Sequence, residues 1–203
     1  MTQDSQSNPY QVRPAREEDI RWAAQLGRRV YQGLDVIPEA TMLDWFAANP
    51  NAFFTFWHDD QRIGNFDILP LRPLVMQRFV AGELLEREIE SKDIFTPAES
   101  HAIRDLHWES IVVDPGYARE RRPMVTLFLR TYLHTLAHLC PIDQLGNTYA
   151  IAASSAGAGL LRRMGLSPIA EASTRLDAHP LYCGNVATYR AVIDATFHTA
   201  NDV

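Results

Sequence analysis

The sequence predicts an α/β fold, a mixed central sheet flanked by helices with a helical insert between its third and fourth strands. Three observations predict it. The run 106–113 is β-branched and aromatic, closes at Asp114-Pro115-Gly116, and leads into a helical pattern through Leu127, Tyr132, Leu133 and Leu136 that stops at Pro141. Residues 52–57 and 62–69 flank His58-Asp59-Asp60-Gln61, a hairpin signal. Past Pro141 the strand-then-helix order repeats, with 147–153 as strand and 156–164 as helix.

The 203 residues suit one domain over 10–203, preceded by a polar, flexible tail at 1–9. Hydrophobic content of 46% with 22% charged residues is that of a globular protein. A net charge of −6 argues against general affinity for nucleic acid or an anionic membrane. No apolar run is long enough to span a bilayer. Cys140 and Cys183 form no metal or redox pattern, so the expected compartment is the cytoplasm, with both thiols reduced.

Taken in order, 10–14 reads as a first strand. Glu17, Glu18 and Asp19 open a helix, acids being favourable in a first turn, and Ile20, Ala23, Ala24, Gly27, Val30 and Tyr31 recur at helical spacing until Gly33 ends it. Pro38 is placed as the first residue of a second helix that buries Met42, Leu43, Trp45 and Phe46. The run 53–57 is apolar on both faces, as in a covered strand. In the insert, 70–105, Val75, Phe79, Leu84, Leu85 and Ile89 give a helical pattern, and Thr96-Pro97-Ala98-Glu99 is a capping box for a second short helix. The insert reads equally as a specificity element or as a helical lid or dimer surface. Ser154-Ser155 caps the helix that Gly165 ends, and 169–176 and 187–193 are expected as the last two strands.

The stretch 106–126, LHWESIVVDPGYARERRPMVT, puts a strand, a tight loop and a helix N-terminus in succession, with Pro123 expected as the first helical residue. That arrangement aims backbone N–H groups and the helix dipole at an anion. With Val113-Asp114-Pro115 and Tyr117, it resembles the cofactor-binding core of the GCN5-related N-acetyltransferase (GNAT) superfamily; the resemblance runs from about residue 10 to 195 and includes Val12-Arg13-Pro14-Ala15 and Ile63-Gly64-Asn65-Phe66. It implies a sheet splayed beside Val113-Asp114-Pro115. It also implies an N-acyltransferase that moves an acetyl or other acyl group from acetyl-CoA or another acyl-CoA to an amine of a small molecule or protein. Arg119, Arg121 and Pro123 stand where the superfamily keeps glycines, and Ala118 where it keeps arginine. Ser154 stands in place of asparagine and Leu161 in place of the tyrosine that protonates the thiolate. Tyr182, Cys183 and Tyr189 lie later in the chain as substitutes for that acid.

By the resemblance, strand residues Ile111, Val112 and Val113 hold the pantetheine, the loop residues Ala118, Arg119, Glu120, Arg121, Arg122 and Pro123 hold the phosphates, and Ser154 borders the same site. Glycine lets a backbone wrap a diphosphate closely; here three guanidinium groups offer a side-chain cradle instead. Glu109, six residues before Pro115, is the candidate base, and His107 shares its strand face by two-residue alternation. His134 and His138 lie one turn apart but have no carboxylate or thiol in register, so no metal is expected. Two further readings stay open. One is a catalytically degenerate binding or regulatory module. The other is an acyltransferase fed by an acyl carrier protein, whose phosphopantetheine lacks the nucleotide diphosphate. A homodimer is also compatible with the sequence.

Overall fold

The computed structural model describes residues 8–197; residues 1–7 of the expected tail and 198–203 lie outside the described residues. Seven strands form one sheet: β1 (Tyr10–Pro14), β2 (Phe53–His58), β3 (Gln61–Leu69), β4 (Leu106–Val113), β5 (Asn147–Ile151), β6 (Ser167–Ala170) and β7 (Leu181–Asn185), in the order β1-β2-β3-β4-β5-β7-β6. All neighbours are antiparallel except β4 and β5, which run parallel. The parallel pairing is short. It joins Leu106, His107 and Trp108 to Thr148, Tyr149 and Ala150 and goes no further. From Glu109 onward the β4 edge that faces β5 is therefore open, which is the splay expected beside Val113-Asp114-Pro115.

The helices are α1 (Glu17–Val30), α2 (Glu39–Ala48), α3 (Pro73–Val80), α4 (Arg121–Leu139), α5 (Ser155–Arg163) and α6 (Val186–Phe197). Phe128 of α4 packs edge-on to Phe56, Phe66 and Trp108, and Tyr132 packs against Trp108, so α4 covers one face of the central strands. Trp108 also donates its indole N–H to the Tyr132 hydroxyl at 2.8 Å within this buried layer, which satisfies a donor that burial would otherwise leave orphaned. On the opposite face Tyr31, at the end of α1, reaches Ser110 at 3.1 Å, and Phe79 of α3 packs on the His107 ring. No helix among the described residues is long and apolar enough to cross a membrane.

Several expectations are corrected. Residues 187–193 are not a strand but the body of α6. The apolar side chains Val186 and Tyr189 are buried three apart, a helical interval, and Asn185 caps the start by accepting from the Thr188 N–H at 2.9 Å. The strand expected over 169–176 is shorter and earlier, Ser167–Ala170, and the sheet is completed by β7. Helix α1 ends at Val30, ahead of Gly33, and Pro38 is the N-cap of α2, outside its first turn. Pro123 is the third residue of α4, because Pro115–Glu120 forms 3₁₀ turns, kinked at Tyr117 (φ −112°, ψ 36°), whose second part joins the helix.

The insert is helical only over α3. Gly82, at φ +77, turns the chain back, and a Cβ there would lie 2.9 Å from the Arg175 side chain. Short 3₁₀ turns follow at Glu86–Glu88, Ser91–Asp93 and Pro97–Ala102. The last has the expected capping box, with the Thr96 N–H and hydroxyl both donating to Glu99. The insert is bound into the domain. Trp45 donates to the Ile89 carbonyl at 2.8 Å, Asn49 to the Phe95 carbonyl at 2.7 Å and Arg175 to the Phe79 carbonyl at 3.0 Å, while Phe79, Ile89 and Ile94 are buried.

Candidate active site

Ser110 opposes Asp67 and Trp108 opposes Ile68, so Glu109 is the extra residue of a β-bulge between β3 and β4. A bulge bends its strand and re-aims the side chain it adds. Here it falls where β4 parts from β5. The opening is a solvent-accessible cleft of about 100 Å³, walled by Glu109, Ser110 and Ile111 of β4, by Ala150, Ile151 and Ala152 on and just after β5, and by Ser154, Gly157 and Leu161 at α5. Tyr31, Asp35 and Glu86 close its far side. One wall is apolar and the floor is acidic.

Glu109 keeps some surface in the cleft but is otherwise enclosed by protein. Burial, then the neighbouring Glu86 carboxylate, hold its carboxyl well above the usual range, while a hydrogen bond from Asp67 works the other way. Asp67 is 1% exposed and held higher still by burial, by the charge of Glu109 and by donating to it, with Asn65 bonding its other side at 2.9 Å. Two buried carboxyls in contact cannot both ionise cheaply. Within the pair Asp67 is the donor and the deeper member, so Glu109, the member that faces the cleft, is the one that gives up its proton first.

His107 lies behind this pair and not in it. Its side chain is wholly buried, does not line the cleft, and bonds Glu86 through Nε2 at 2.7 Å and the Tyr149 carbonyl through Nδ1 at 3.3 Å. Burial pushes its pKa down to about 3. His107, expected beside Glu109 as a catalytic residue, is thus placed behind the cleft wall, bonded to Glu86.

The other expected site residues divide. Glu109, Ile111 and Ser154 meet in the cleft, the Ser154 hydroxyl accepting from the Gly157 N–H at 3.1 Å as the cap of α5. Val112 is buried and Val113 half-buried on the open part of β4. Ala118, Arg119, Arg121 and Arg122 are exposed, and Pro123 is half-buried. Among the described residues no carboxylate pairs with Arg119, Arg121 or Arg122; Glu120 is instead bonded by the Tyr10 hydroxyl. The Val113-Asp114-Pro115 corner is pinned: Arg29 bonds Asp114 at 2.8 Å, and Asp114 accepts from the Gly116 N–H at 2.9 Å. Glu120, just ahead of α4, has helical φ −82° and ψ −8°, so the open turn that glycines would make is replaced by coil.

Tyr182, Cys183 and Tyr189 are absent from the cleft lining, and Tyr189 is stacked on Trp108 in the core. His134 and His138 are exposed with ring centroids 5.1 Å apart, and no group of three metal-ligating side chains occurs among the described residues. Asp67, Glu86, Tyr31 and Asp35 were not foreseen. Asn65 and Asp67 two apart in an apolar strand were a usable signal for one buried polar face; Glu86, inside a charged run, carried none.

No family model and no curated protein matches the sequence. Solved structures do resemble the fold. The loading GNATL domain of CurA from Lyngbya majuscula aligns over 88% of this chain and 98% of that one at 10% identity and a TM-score of 0.59. GphF, a GNAT-like decarboxylase in complex with isobutyryl-CoA, aligns over 86% and 98% at 15% identity and 0.56. An N-acetyltransferase from Staphylococcus aureus Mu50 aligns over 87% and 98% at 14% identity and 0.52. With its parted parallel strands, bulged β4 and seven-stranded order, the chain has the fold of the GCN5-related N-acetyltransferases.

Proposed function

We propose that this protein is an N-acyltransferase that moves an acetyl or other acyl group from acyl-CoA to an amine, with Glu109 as the general base. The observation that carries the reading is the placement of Glu109. It is the bulged residue at the point where β4 parts from β5, and of the Asp67–Glu109 pair it is the member that faces the cleft and gives up its proton first. The open β4 edge from Glu109 to Val113 offers backbone groups to an extended pantetheine arm, and Ala150 and Ala152 give that arm an apolar wall. The GphF neighbour was solved with isobutyryl-CoA bound, which supports an acyl-CoA in the same kind of cleft.

In this reading the acceptor enters from the acidic side, between Tyr31, Asp35 and Glu86. Glu109 takes a proton from the ammonium, the freed amine attacks the thioester carbon, and as the C–S bond breaks the proton still carried by the nitrogen passes through water in the open cleft to the departing thiolate. Leu161 offers it none. The acidic floor favours a cationic amine over an anionic acceptor. The coil at Pro115–Glu120 favours a second donor, the phosphopantetheine arm of an acyl carrier protein, because no glycine turn wraps a diphosphate there.

The test is acyl transfer by wild type and Glu109→Gln, with acetyl-CoA and with acetyl-pantetheine as donors. The reading expects a loss of about a hundredfold or more in kcat for the variant. An active wild type whose pH–rate profile is unchanged by the substitution removes Glu109 from the role. A wild type that uses both donors equally well assigns no part of catalysis to the arginine loop.

A further inference from the structure

We propose that Glu86, carried by the insert, is a positioning residue for the acyl transfer assigned above: as a neutral hydrogen-bond donor to His107 it clamps the insert to β4, two residues before Glu109. The inference rests on that reading for its catalytic part, and its geometry stands apart from it.

The logic begins at the Tyr149 carbonyl. A carbonyl oxygen only accepts, so the His107 Nδ1 that meets it at 3.3 Å carries the hydrogen. In a neutral imidazole the other nitrogen, Nε2, then holds a lone pair. Glu86 Oε1 lies 2.7 Å from that lone pair, a contact that is attractive only with a proton between the two atoms. Were the proton lost, a carboxylate and a bare ring nitrogen would face each other inside the protein. The His107 side chain is 0% exposed and that of Glu86 11%, so no solvent shell relieves the clash.

The surroundings decide which atom keeps the proton. Asp35 and Asp177 press on Glu86 with negative charge, against His179 and Arg175, which are themselves bonded to those two aspartates at 3.0 and 2.6 Å. On its other side Glu86 shares the cleft lining with Glu109 and Tyr31, and its charge raises both. Burial comes first among the causes, and with this ring of acids it pushes the Glu86 carboxyl up to about 8. Burial likewise disfavours the imidazolium of His107. The pair is thus acid and neutral ring, with no net charge beside Glu109.

Two consequences reach the cleft. Glu109 is the bulged residue two places after His107, so the clamp on the ring holds the strand where the base is aimed. Glu86 is also, after burial, the next cause that raises the Glu109 carboxyl, so its charge state reaches the base directly. The role is one of position and charge; Glu86 need not touch the reacting atoms.

The experiment uses the full chain, selectively ¹⁵N-labelled at histidine, in wild type, Glu86→Gln and Glu86→Ala. Long-range ¹H–¹⁵N spectra are expected to show His107 at pH 6 as the Nδ1–H tautomer with an unprotonated, hydrogen-bonded Nε2. The Nε2 signal should move near pH 8 in wild type and stay fixed in Glu86→Gln, whose amide donates but cannot ionise. In kinetics, wild type should lose kcat/KM above pH 8, Glu86→Gln should lack that alkaline limb, and Glu86→Ala should lose about tenfold or more in kcat at every pH, as for removal of a positioned group. An imidazolium ring at pH 6, or an Nε2 signal in wild type that does not titrate between pH 6 and 10, overturns the proposal. The spectra do not depend on any activity. If no acyl transfer is found, the reaction assignment fails while the Glu86–His107 proton is still tested on its own.

Discussion

Asp67 on β3 donates a hydrogen bond to Glu109, the bulged residue of β4, which raises the Asp67 carboxyl and works against the rise of its partner. Asp67 is the deeper of the two and is braced by the Asn65 amide at 2.9 Å; Glu109 looks into the cleft. The division of labour follows from burial. The better-hidden acid stays neutral, and its O–H supports the charge on the other.

Asp67 is therefore expected to set the acid limb of the rate profile. Asp67→Ala removes the donor, so Glu109 should ionise at higher pH and the acid limb of kcat/KM should move in the alkaline direction. Asp67→Asn can still donate through its amide and should leave the limb nearer to that of wild type. Equal shifts in the two variants would mean that the donated hydrogen bond does not control Glu109.

Stability should respond to pH through Glu86 and His107 in opposite senses. The Glu86 carboxyl rises from 4.5 to about 8 on folding, so its contribution is full below 4.5 and is lost as pH rises towards 8. His107 falls from 6.5 to about 3, so its contribution is full above 6.5 and is lost as pH falls towards 3. Between 4.5 and 6.5 the folded pair and the unfolded pair bind the same number of protons, and the two slopes cancel. Above 6.5 only the Glu86 slope remains, roughly 1.4 kcal/mol per pH unit at most, so about 1–2 kcal/mol should be lost by pH 8. Urea denaturation of wild type and Glu86→Gln at pH 5.5, 6.5 and 8 checks this. The variant should keep between 6.5 and 8 the part that wild type loses.

Gly64 marks the closest approach of β3 to β4. A Cβ built there would lie 2.2 Å from the Val112 carbonyl oxygen and 3.1 Å from the Val113 Cα, both backbone atoms that cannot swing aside. Gly64→Ala should therefore destabilise the fold by roughly 3 kcal/mol or more, since the clash forces two strands apart in a packed sheet. It should also disturb the β4 edge against which the pantetheine is proposed to lie. A thermal midpoint within a degree or two of wild type would show that the strands separate at little cost.

Much of this was legible in the chain itself, for identifiable reasons. The strand at 106–113 and the Val113-Asp114-Pro115 corner announce themselves through β-branched residues and a rigid turn, and Ser154 through its capping chemistry. Residues 187–193 misled, because a last strand is expected there to complete the sheet, while the Asn185 cap and the helix-favouring Ala187 and Ala191 start and carry a helix. The bulge at Glu109 could not be read at all, since nothing in one strand's sequence states the register of its partner. Glu86 was hidden for a related reason. Its partner His107 is twenty-one residues further along the chain, beyond several short 3₁₀ turns, and a lone acid in a charged run looks like solvent-facing surface.

The arginine loop decides how a nucleotide-bearing donor would be held. Pro115–Glu120 is coiled and continuous with α4, and Pro123 contributes no N–H, so the backbone offers little of the cradle that glycines would make. Arg119, Arg121 and Arg122 are exposed at the start of α4 with no described carboxylate to neutralise them. If they grip the diphosphate of CoA, the grip is electrostatic and open to solvent. It should then weaken steeply with salt, because such contacts are screened over about 8–10 Å at physiological ionic strength. Replacing one arginine that makes a charge-assisted phosphate contact should cost about 1.5–3 kcal/mol, roughly ten- to a hundredfold in affinity. Calorimetry with CoA and with pantetheine, for wild type and for Arg119→Ala, Arg121→Ala and Arg122→Ala at low and moderate salt, separates the cases. Binding of CoA that exceeds pantetheine at low salt, and falls in at least one variant, supports the side-chain cradle. CoA binding that no variant weakens removes the cradle and leaves the cleft to hold the donor. Equal affinity for CoA and pantetheine, indifferent to salt, assigns the donor site to the β4 edge alone and favours a carrier-borne phosphopantetheine.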